Sequence, residues 1–311
     1  LLPPIVNDTT PGNVIGVVYK GELIFSNAYG KANLAYGLDN STEMVYNIGS
    51  VSKQFLGYAF AMLSAEGKID LDAPVNDFLE NWPTFKHKVT IRHLLTMTSG
   101  INFNEHYGDP LGFMAKAYYG DDLIGKTLVF SSENEPGTLW HYLGGNTLLL
   151  AMIINKVSGV PLSVFVAENI WSKIGAEQDA HWSLDEDKGF EKAFCCFYSN
   201  ARDFARIGKL YLDSGRWNGE QIVPEWFVLE SIQPVETSTE TIPHYGYHLW
   251  LLNGEKEHIY YARGILGQYI LCIPDQDIVL VRLGHKRGNN NDLKHPEDVY
   301  SYLHLARRFY D

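Results

Sequence analysis

The sequence predicts an α+β fold: one antiparallel sheet built from both chain ends, flanked by helices, with a mainly helical domain inserted between them. Three observations carry this prediction. Two short runs of apolar, β-branched residues open the chain on either side of Lys20-Gly21. From Lys53 the apolar residues recur at helical spacing. After Tyr245 the pattern returns to short apolar runs divided by turn residues. A chain of 311 residues can bury a large core. On this reading residues 1–67 and 200–311 form the sheet-containing part and residues 68–199 the helical insert, with a cleft between them as the expected ligand site.

The elements follow in order. Residues 14–19 and 23–26 read as a β-hairpin, and a polar stretch then leads to Tyr46-Asn47-Ile48-Gly49. Over residues 53–66, Phe55, Leu56, Phe60, Met62 and Leu63 mark a helix, with Gly67 suited to its C′ position. Residues 90–100 read as a short helix capped by Thr90 and stopped by Gly100. Residues 101–136 read as a polar, aromatic loop closed by Pro136-Gly137-Thr138, and loops this long are uncommon unless functional. Residues 146–157 form a strongly apolar helix ended by Gly159 and Pro161, and residues 162–171 form another. Asn200-Ala-Arg-Asp203 resembles a capping box. It starts a helix with Phe204, Ile207, Leu210 and Tyr211 on the apolar side. Pro224 suits the first position of a further short helix. Residues 245–252, 258–262, 268–273 and 278–283 read as strands, with turns at Asn253-Gly254, Arg263-Gly264 and Pro274-Asp275, and residues 296–309 as a closing helix.

Composition narrows the function classes. A formal net charge of −12 argues against nucleic acid and anionic membrane surfaces as partners. No apolar run is long enough to span a bilayer. Cys195, Cys196 and Cys272 are too few and too oddly spaced for a disulfide framework or a zinc site, and read as small buried residues. The histidines, among them His87, His93, His106, His141 and His181, show no H-E-x-x-H, so neither a metal nor another cofactor is expected. The chain opens Leu1-Leu2-Pro3-Pro4 rather than with Met. That opening predicts removal of a signal peptide or lipoprotein leader and favours an exported, periplasmic or envelope-attached location.

The chemistry gathers at Gly49-Ser50-Val51-Ser52-Lys53. Positions i and i+3 share a helix face, so Ser50 and Lys53 stand side by side where the helix begins. Unpaired N–H groups and the positive pole of the helix lie at that end, and a neighbouring amine can take the serine proton. On the order of one such S-x-x-K spacing arises by chance in a chain this long, so a third proton-carrying group has to be found. Tyr198-Ser199-Asn200 matches Y-x-N literally. Tyr142-Leu143-Gly144 does not, but it sits between the long loop and a buried helix, where a side chain can enter a cleft. Context favours Tyr142, since Asn200 has a sufficient role as a helix cap. Tyr198, Trp182 and Asp185 read as packing or pocket lining.

In these landmarks the chain resembles the serine β-lactamase-like family of class C β-lactamases, D-Ala-D-Ala carboxypeptidases and related esterases and amidases. The residues carrying the resemblance are Pro11-Gly12, residues 16–21, Ser50-Val-Ser-Lys53, residues 66–72, residues 92–100, Pro136-Gly-Thr138 and Ala201-Arg-Asp203. The resemblance implies a β-lactamase/transpeptidase-like fold, with Ser50 as acylated nucleophile, Lys53 as its base and Tyr142 as proton relay. The family's third motif, a strand ending Lys/His-Thr/Ser-Gly, is altered here to Tyr260-Tyr261-Ala262-Arg263-Gly264-Ile265. That form is similar to 6-aminohexanoate-dimer hydrolase and related carboxylesterases. The resemblance to them implies an oxyanion hole made by the amides of Ser50 and Ile265, and substrate contacts from Tyr107, Gly144, Arg263 and Gly264. Gly144 stands where many relatives have Asn. The expected function is therefore hydrolysis of a small ester or amide through an acyl-enzyme on Ser50, with a small-molecule acyl substrate as the expected partner. The alternatives are a β-lactamase or D-Ala-D-Ala carboxypeptidase, and a penicillin-recognising sensor that does not turn over.

Overall fold

In the computed structural model, residues 11–80, 82, 87–106, 108–252, 258–291 and 294–309 are described. The chain begins with β1 (Gly12–Tyr19), β2 (Glu22–Asn33), β3 (Leu38–Asp39) and β4 (Tyr46–Asn47). A 3₁₀ turn over Gly49–Ser52 leads into α1 (Lys53–Ala65), followed by α2 (Ile91–Leu95), α3 (Phe113–Tyr119), α4 (Leu123–Leu128), α5 (Gly144–Ser158) and α6 (Leu162–Val166). Next come β5 (His181–Trp182), β6 (Phe197–Ser199) and α7 (Ala201–Leu212). Two small ribbons, β7 (Arg216–Trp217) with β8 (Glu220–Gln221) and β9 (Val235–Glu236) with β10 (Thr241–Ile242), flank α8 (Glu225–Ser231). The chain ends with β11 (Trp250–Leu252), β12 (Ile259–Gly264), β13 (Gln268–Ile273), β14 (Ile278–Gly284) and α9 (Glu297–Arg307).

The first strand pairs with the last. β1 runs antiparallel to β14 from Asn13 opposite Gly284 to Tyr19 opposite Ile278. The main sheet has the order β11-β12-β13-β14-β1-β2-β3, so both chain ends build it, as the sequence predicts. Its central strands are mostly apolar, because both faces are covered, with Asn13, Gln268 and Arg282 as buried polar exceptions. Val14, Val18, Ile270, Val279 and Val281 point to the side of α1 and α7, whereas Ile15, Val17, Tyr269, Leu271 and Leu280 meet Val299, Tyr302 and Leu303 of α9. Alternate residues of a strand face opposite ways. The β1–β2 turn is Lys20-Gly21, with φ +48° and +80°, the paired positive values of the tight hairpin turn that matches strand twist.

Helix α7 lies on the sheet through Phe204, Ile207 and Tyr211. The Asn200 side chain caps it by accepting from the Asp203 amide at 2.9 Å. The box is not closed reciprocally: the Asp203 carboxylate accepts instead from the Glu177 and Gln178 amides at 2.9 and 3.1 Å. Helix α1 is buried on every side, including Lys53 and Gln54, as befits a helix enclosed between a sheet and the helical region. A smaller sheet, β4-β6-β5, joins residues from both expected parts of the chain, with Tyr46 opposite Ser199. Among the described residues no single helix is long and apolar enough to cross a membrane.

Four local readings need correction. The stretch 101–136 is not all loop. Phe113, Met114 and Ala117 bury one side of α3, and the Asp122 side chain caps α4. The strand expected over 245–252 is reduced to Trp250–Leu252 because His248 adopts φ +59° and the Gly246 amide bonds the Leu249 carbonyl, closing a turn. Arg263 and Gly264 are the last residues of β12, paired with Tyr269 and Gln268, so the turn falls at residues 265–267. Residues 162–171 are α6 followed by a π turn over Ala167–Trp171, where a single α-helix is expected. The turn expected at Asn253-Gly254 lies outside the described residues.

Gly208 tests how closely α7 approaches the sheet. A Cβ at this position would run into the side chains of Val279 on β14 and Ile270 on β13. Gly208→Ala therefore overpacks the interface. It is expected to destabilise the protein by about 1–3 kcal/mol despite alanine's better helix propensity. Chemical denaturation would read this as a lower midpoint with an unchanged m-value; a midpoint at or above that of the parent would contradict the packing.

Candidate active site

A backbone constraint places Ser50. It is the second residue of the Gly49–Ser52 turn, which α1 continues from Lys53. Gly49 adopts φ +55°, and a Cβ there would stand 3.0 Å from the Ile265 nitrogen and 3.2 Å from Ile265 Cγ2. Gly264 makes the reciprocal approach, since a Cβ there would collide with the Ile48 carbonyl oxygen. Two residues without side chains thus let the serine-bearing turn and the end of β12 meet backbone to backbone. The Ser50 and Ile265 amides lie at this contact. Among the described residues the Ile265 N–H donates to no acceptor.

Lys53 is only 1% exposed. Its Nζ donates to the Phe194 carbonyl at 2.8 Å and stands 5.1 Å from the centre of the Tyr142 ring. Ser52 Oγ donates to the Ala193 carbonyl at 3.0 Å, so residues 193–194 hold the start of α1 from across the fold. The buried His248 holds it from the other side, with Nδ1 2.8 Å from the Lys53 carbonyl. A carbonyl only accepts, so Nδ1 carries the hydrogen. Burial pushes the His248 pKa down to about 3 against that bond, which keeps the ring neutral near pH 7. Gln54 Nε2 closes the set by donating to the His248 carbonyl.

Tyr142 reaches Lys53 from the segment before α5. That segment is pinned to the residues after α2: the Gly137 amide donates to Thr98 O at 2.8 Å and the His141 amide to Met97 O at 2.9 Å. The Tyr142 ring packs against Tyr245 and Trp250, with centroids 5.9 and 5.7 Å away. Tyr198 lies elsewhere, on β6, where its hydroxyl accepts from Asn47 Nδ2 at 3.2 Å. Trp182 is used in packing on Phe55 and Phe197. Asp185 accepts from the Leu123, Glu186 and Phe190 amides.

Ser50 and Tyr142 open into a cleft of about 790 Å³ whose lining also includes Gly49, Gly264 and Ile265. Met114, Tyr118, Tyr119, Phe194 and Leu266 make much of its wall apolar, and Asp109, Arg263 and Arg287 are its charged groups. The Arg263 guanidinium is already engaged, 3.3 Å from the centre of the Trp250 ring and donating to Lys294 O at 2.8 Å. Gly144 is not among the described lining residues. It is buried, and a Cβ there would lie 3.3 Å from Phe194 and 3.5 Å from Glu105 Oε2. Tyr107 lies outside the described residues.

Several participants escape a reading of the sequence. The Glu105 carboxylate accepts from the Gly144 and Gly145 amides at 2.8 and 2.7 Å, capping α5 beside the site. Burial pushes its carboxyl above the ordinary range against the pull of those amides. Phe194, Tyr118, Arg287 and His248 carry no motif. Cys195 and Cys196 are buried as expected, but they are disulfide-bonded to each other rather than free. The spacing rule looks for bridges between separated stretches of chain, whereas adjacent cysteines close only a small ring through their own peptide bond. Cys272 is a free, buried thiol whose pKa burial pushes well up.

Comparison with known proteins agrees with this architecture. The family model described as Beta-lactamase matches residues 6–301. An uncharacterised protein of Alkalihalophilus pseudofirmus is 25% identical over 96% of this chain and 89% of its own length. The 6-aminohexanoate-dimer hydrolase of Paenarthrobacter ureafaciens is 28% identical over 75% of this chain and 64% of its own length. Among solved structures, the octameric penicillin-binding protein homologue from Pyrococcus abyssi superposes with a TM-score of 0.73 at 23% identity, covering 96% of this chain and 74% of that one. This last likeness shows the fold. With nearly the whole length matched, the serine and tyrosine of the resemblance lining one cleft and the lysine buried beside the tyrosine, the chain belongs to the beta-lactamase family of serine hydrolases.

Proposed function

We propose that the protein hydrolyses small esters or amides through an acyl-enzyme on Ser50. The observation that carries the reading is the placement of Ser50, Tyr142 and Ile265 around one largely apolar cleft, with Lys53 buried beside the Tyr142 ring. Lys53 accepts the Ser50 proton as Oγ attacks the substrate carbonyl. The negative charge that develops on the carbonyl oxygen is met by the two backbone N–H groups, fixed in advance by the Gly49–Ile265 contact. Tyr142, beside Lys53, passes a proton to the departing alcohol or amine. A water molecule then attacks the acyl-enzyme, the same groups act in reverse, and Ser50 is released with its proton.

The cleft supports an ester or amide over a β-lactam. Where relatives carry a Lys/His and a Thr/Ser to hold a substrate carboxylate, β12 ends in Arg263-Gly264-Ile265. The Arg263 guanidinium is occupied by Trp250 and the Lys294 carbonyl. The wall around Met114, Tyr118 and Phe194 suits an apolar acyl or alcohol group. Tyr107 and Gly144 remain proposed substrate neighbours by resemblance alone.

A fluorophosphonate probe should label the parent protein at one site and leave Ser50→Ala unlabelled. Ser50→Ala should also lose at least about 1,000-fold in kcat/KM for p-nitrophenyl acetate. Labelling that persists in the alanine variant would place the nucleophile elsewhere. Lys53→Ala should slow acylation by about 100- to 10,000-fold, the span of a general base, and near-parental labelling of that variant would take the lysine out of the mechanism. Substrate class is read by comparing nitrocefin with p-nitrophenyl acetate: the ester should be turned over faster, and a strong preference for nitrocefin would favour a β-lactamase instead.

A further inference from the structure

We infer that Arg282 and Gln268 act as positioning residues, a buried clamp that fixes the turn carrying the Ile265 oxyanion donor. This rests on the hydrolase reading above and adds two residues to it. The turn at residues 265–267 needs such a clamp. Leu266 and Gly267 both adopt left-handed backbone conformations, with φ +64° and +86°. Leu266 does so without glycine's freedom, which a side-chain-bearing residue does only where its surroundings over-determine the backbone. The turn's own side chains do not supply that hold, since Ile265 is 58% and Leu266 47% exposed.

The restraint comes from behind. Arg282, on β14, is 1% exposed. Its Nη1 donates to the Leu266 and Gly267 carbonyls at 2.9 and 2.6 Å, its Nη2 to Lys286 O at 2.6 Å, and its Nε to the Tyr302 hydroxyl at 3.2 Å. None of these partners is a carboxylate. A buried guanidinium is thus spent on carbonyls and one hydroxyl, where its charge strengthens each bond. Gln268, 3% exposed, donates from Nε2 to Ile265 O at 3.2 Å and Gly284 O at 2.6 Å. Its Oε1 accepts from the Gly284 amide at 3.0 Å. The carbonyls of three consecutive residues, Ile265, Leu266 and Gly267, are therefore all bound by buried side chains.

Fixing those carbonyls fixes the peptide planes on the C-terminal side of the Ile265 amide. The Gly49 contact restrains the same amide from the serine side. Among the described residues the N–H has no protein acceptor, as an oxyanion donor requires before substrate arrives. Two neighbouring glycines are shaped to the clamp, since a Cβ at Gly267 or at Gly284 would press into the Arg282 guanidinium. Lysine at 282 would keep the charge but not the planar fork that serves several acceptors at once.

The test compares the parent protein with Arg282→Lys and Gln268→Leu, using p-nitrophenyl acetate kinetics, affinity for phenylboronic acid as a tetrahedral mimic, and thermal melting. Each variant should lose about 10- to 100-fold in kcat, the scale of a displaced catalytic group, with KM changed by less than about twofold, as for an interaction made only in the transition state. Boronate affinity should fall by a similar factor. A merely structural clamp would lower the melting temperature and leave both kcat and boronate affinity within about twofold of the parent; that result overturns the inference. If Arg282→Lys does not fold, Gln268→Leu alone decides on the same criteria. A parent protein that neither hydrolyses the ester nor takes a fluorophosphonate at Ser50 would instead overturn the hydrolase reading and the clamp with it.

Discussion

The structure depends on one close approach, that of the Gly49 turn to the end of β12. At that point the segment leading into α1 and a strand from the last third of the chain touch through their main chains, with Gly49 and Gly264 both stripped of side chains. A Cβ on either would force the two apart, and a displacement of even a few tenths of an ångström matters where donors must meet an oxygen. The antiparallel pairing of β1 with β14 makes the approach possible by bringing segments near the two ends of the chain, Asn13 opposite Gly284 and Tyr19 opposite Ile278, into one sheet. Helix α7 on one face and α9 on the other then leave that sheet little freedom to shift.

Burial does most of the remaining work at Lys53. The side chain enters the interior and meets the carbonyl of Phe194, while the carbonyl of its own backbone is held by a neutral His248. These restraints come from residues 141 and 195 positions away, so the pair Ser50 and Lys53 is not fixed by helical spacing alone. Glu105 adds a carboxylate that caps α5 by accepting from the Gly144 and Gly145 amides. The polar groups around the serine thus find partners on three separate stretches of chain, the Phe194 carbonyl, the His248 imidazole and the Glu105 carboxylate.

What was legible beforehand follows from the range of the interaction. The Lys20-Gly21 turn, the Thr90 and Asn200 caps and the apolar helix α5 are written in a few adjacent residues, and they read correctly because the physics is local. The assembly of the sheet from both ends was legible too, through periodicity that changes from strand to helix and back. The break at His248 was not, because a histidine with φ +59° is chosen by its tertiary bonds to Lys53 and Gln54 rather than by its neighbours in sequence. Helices α3 and α4 were missed because seven and six residues give less than two periods of pattern. Within the cleft, Ser50, Lys53 and Tyr142 announce themselves by spacing and context, whereas Phe194 contributes a carbonyl that any residue could supply. No side-chain signal exists for such a contact.

The same distinction explains why the altered end of β12 need not disable the site. A Lys/His and Thr/Ser at that position act through their side chains and grip a particular substrate group. Ile265 can act only through its amide, and an amide has no sequence signature beyond not being proline. Its direction is set by the peptide planes around it. In an exposed turn with two successive left-handed residues, those planes are held by Arg282 and Gln268 from the buried side. On the proposed reading, charge stabilisation by main chain takes the place of recognition by side chain, and the residues that hold that main chain sit behind the strand rather than in the cleft.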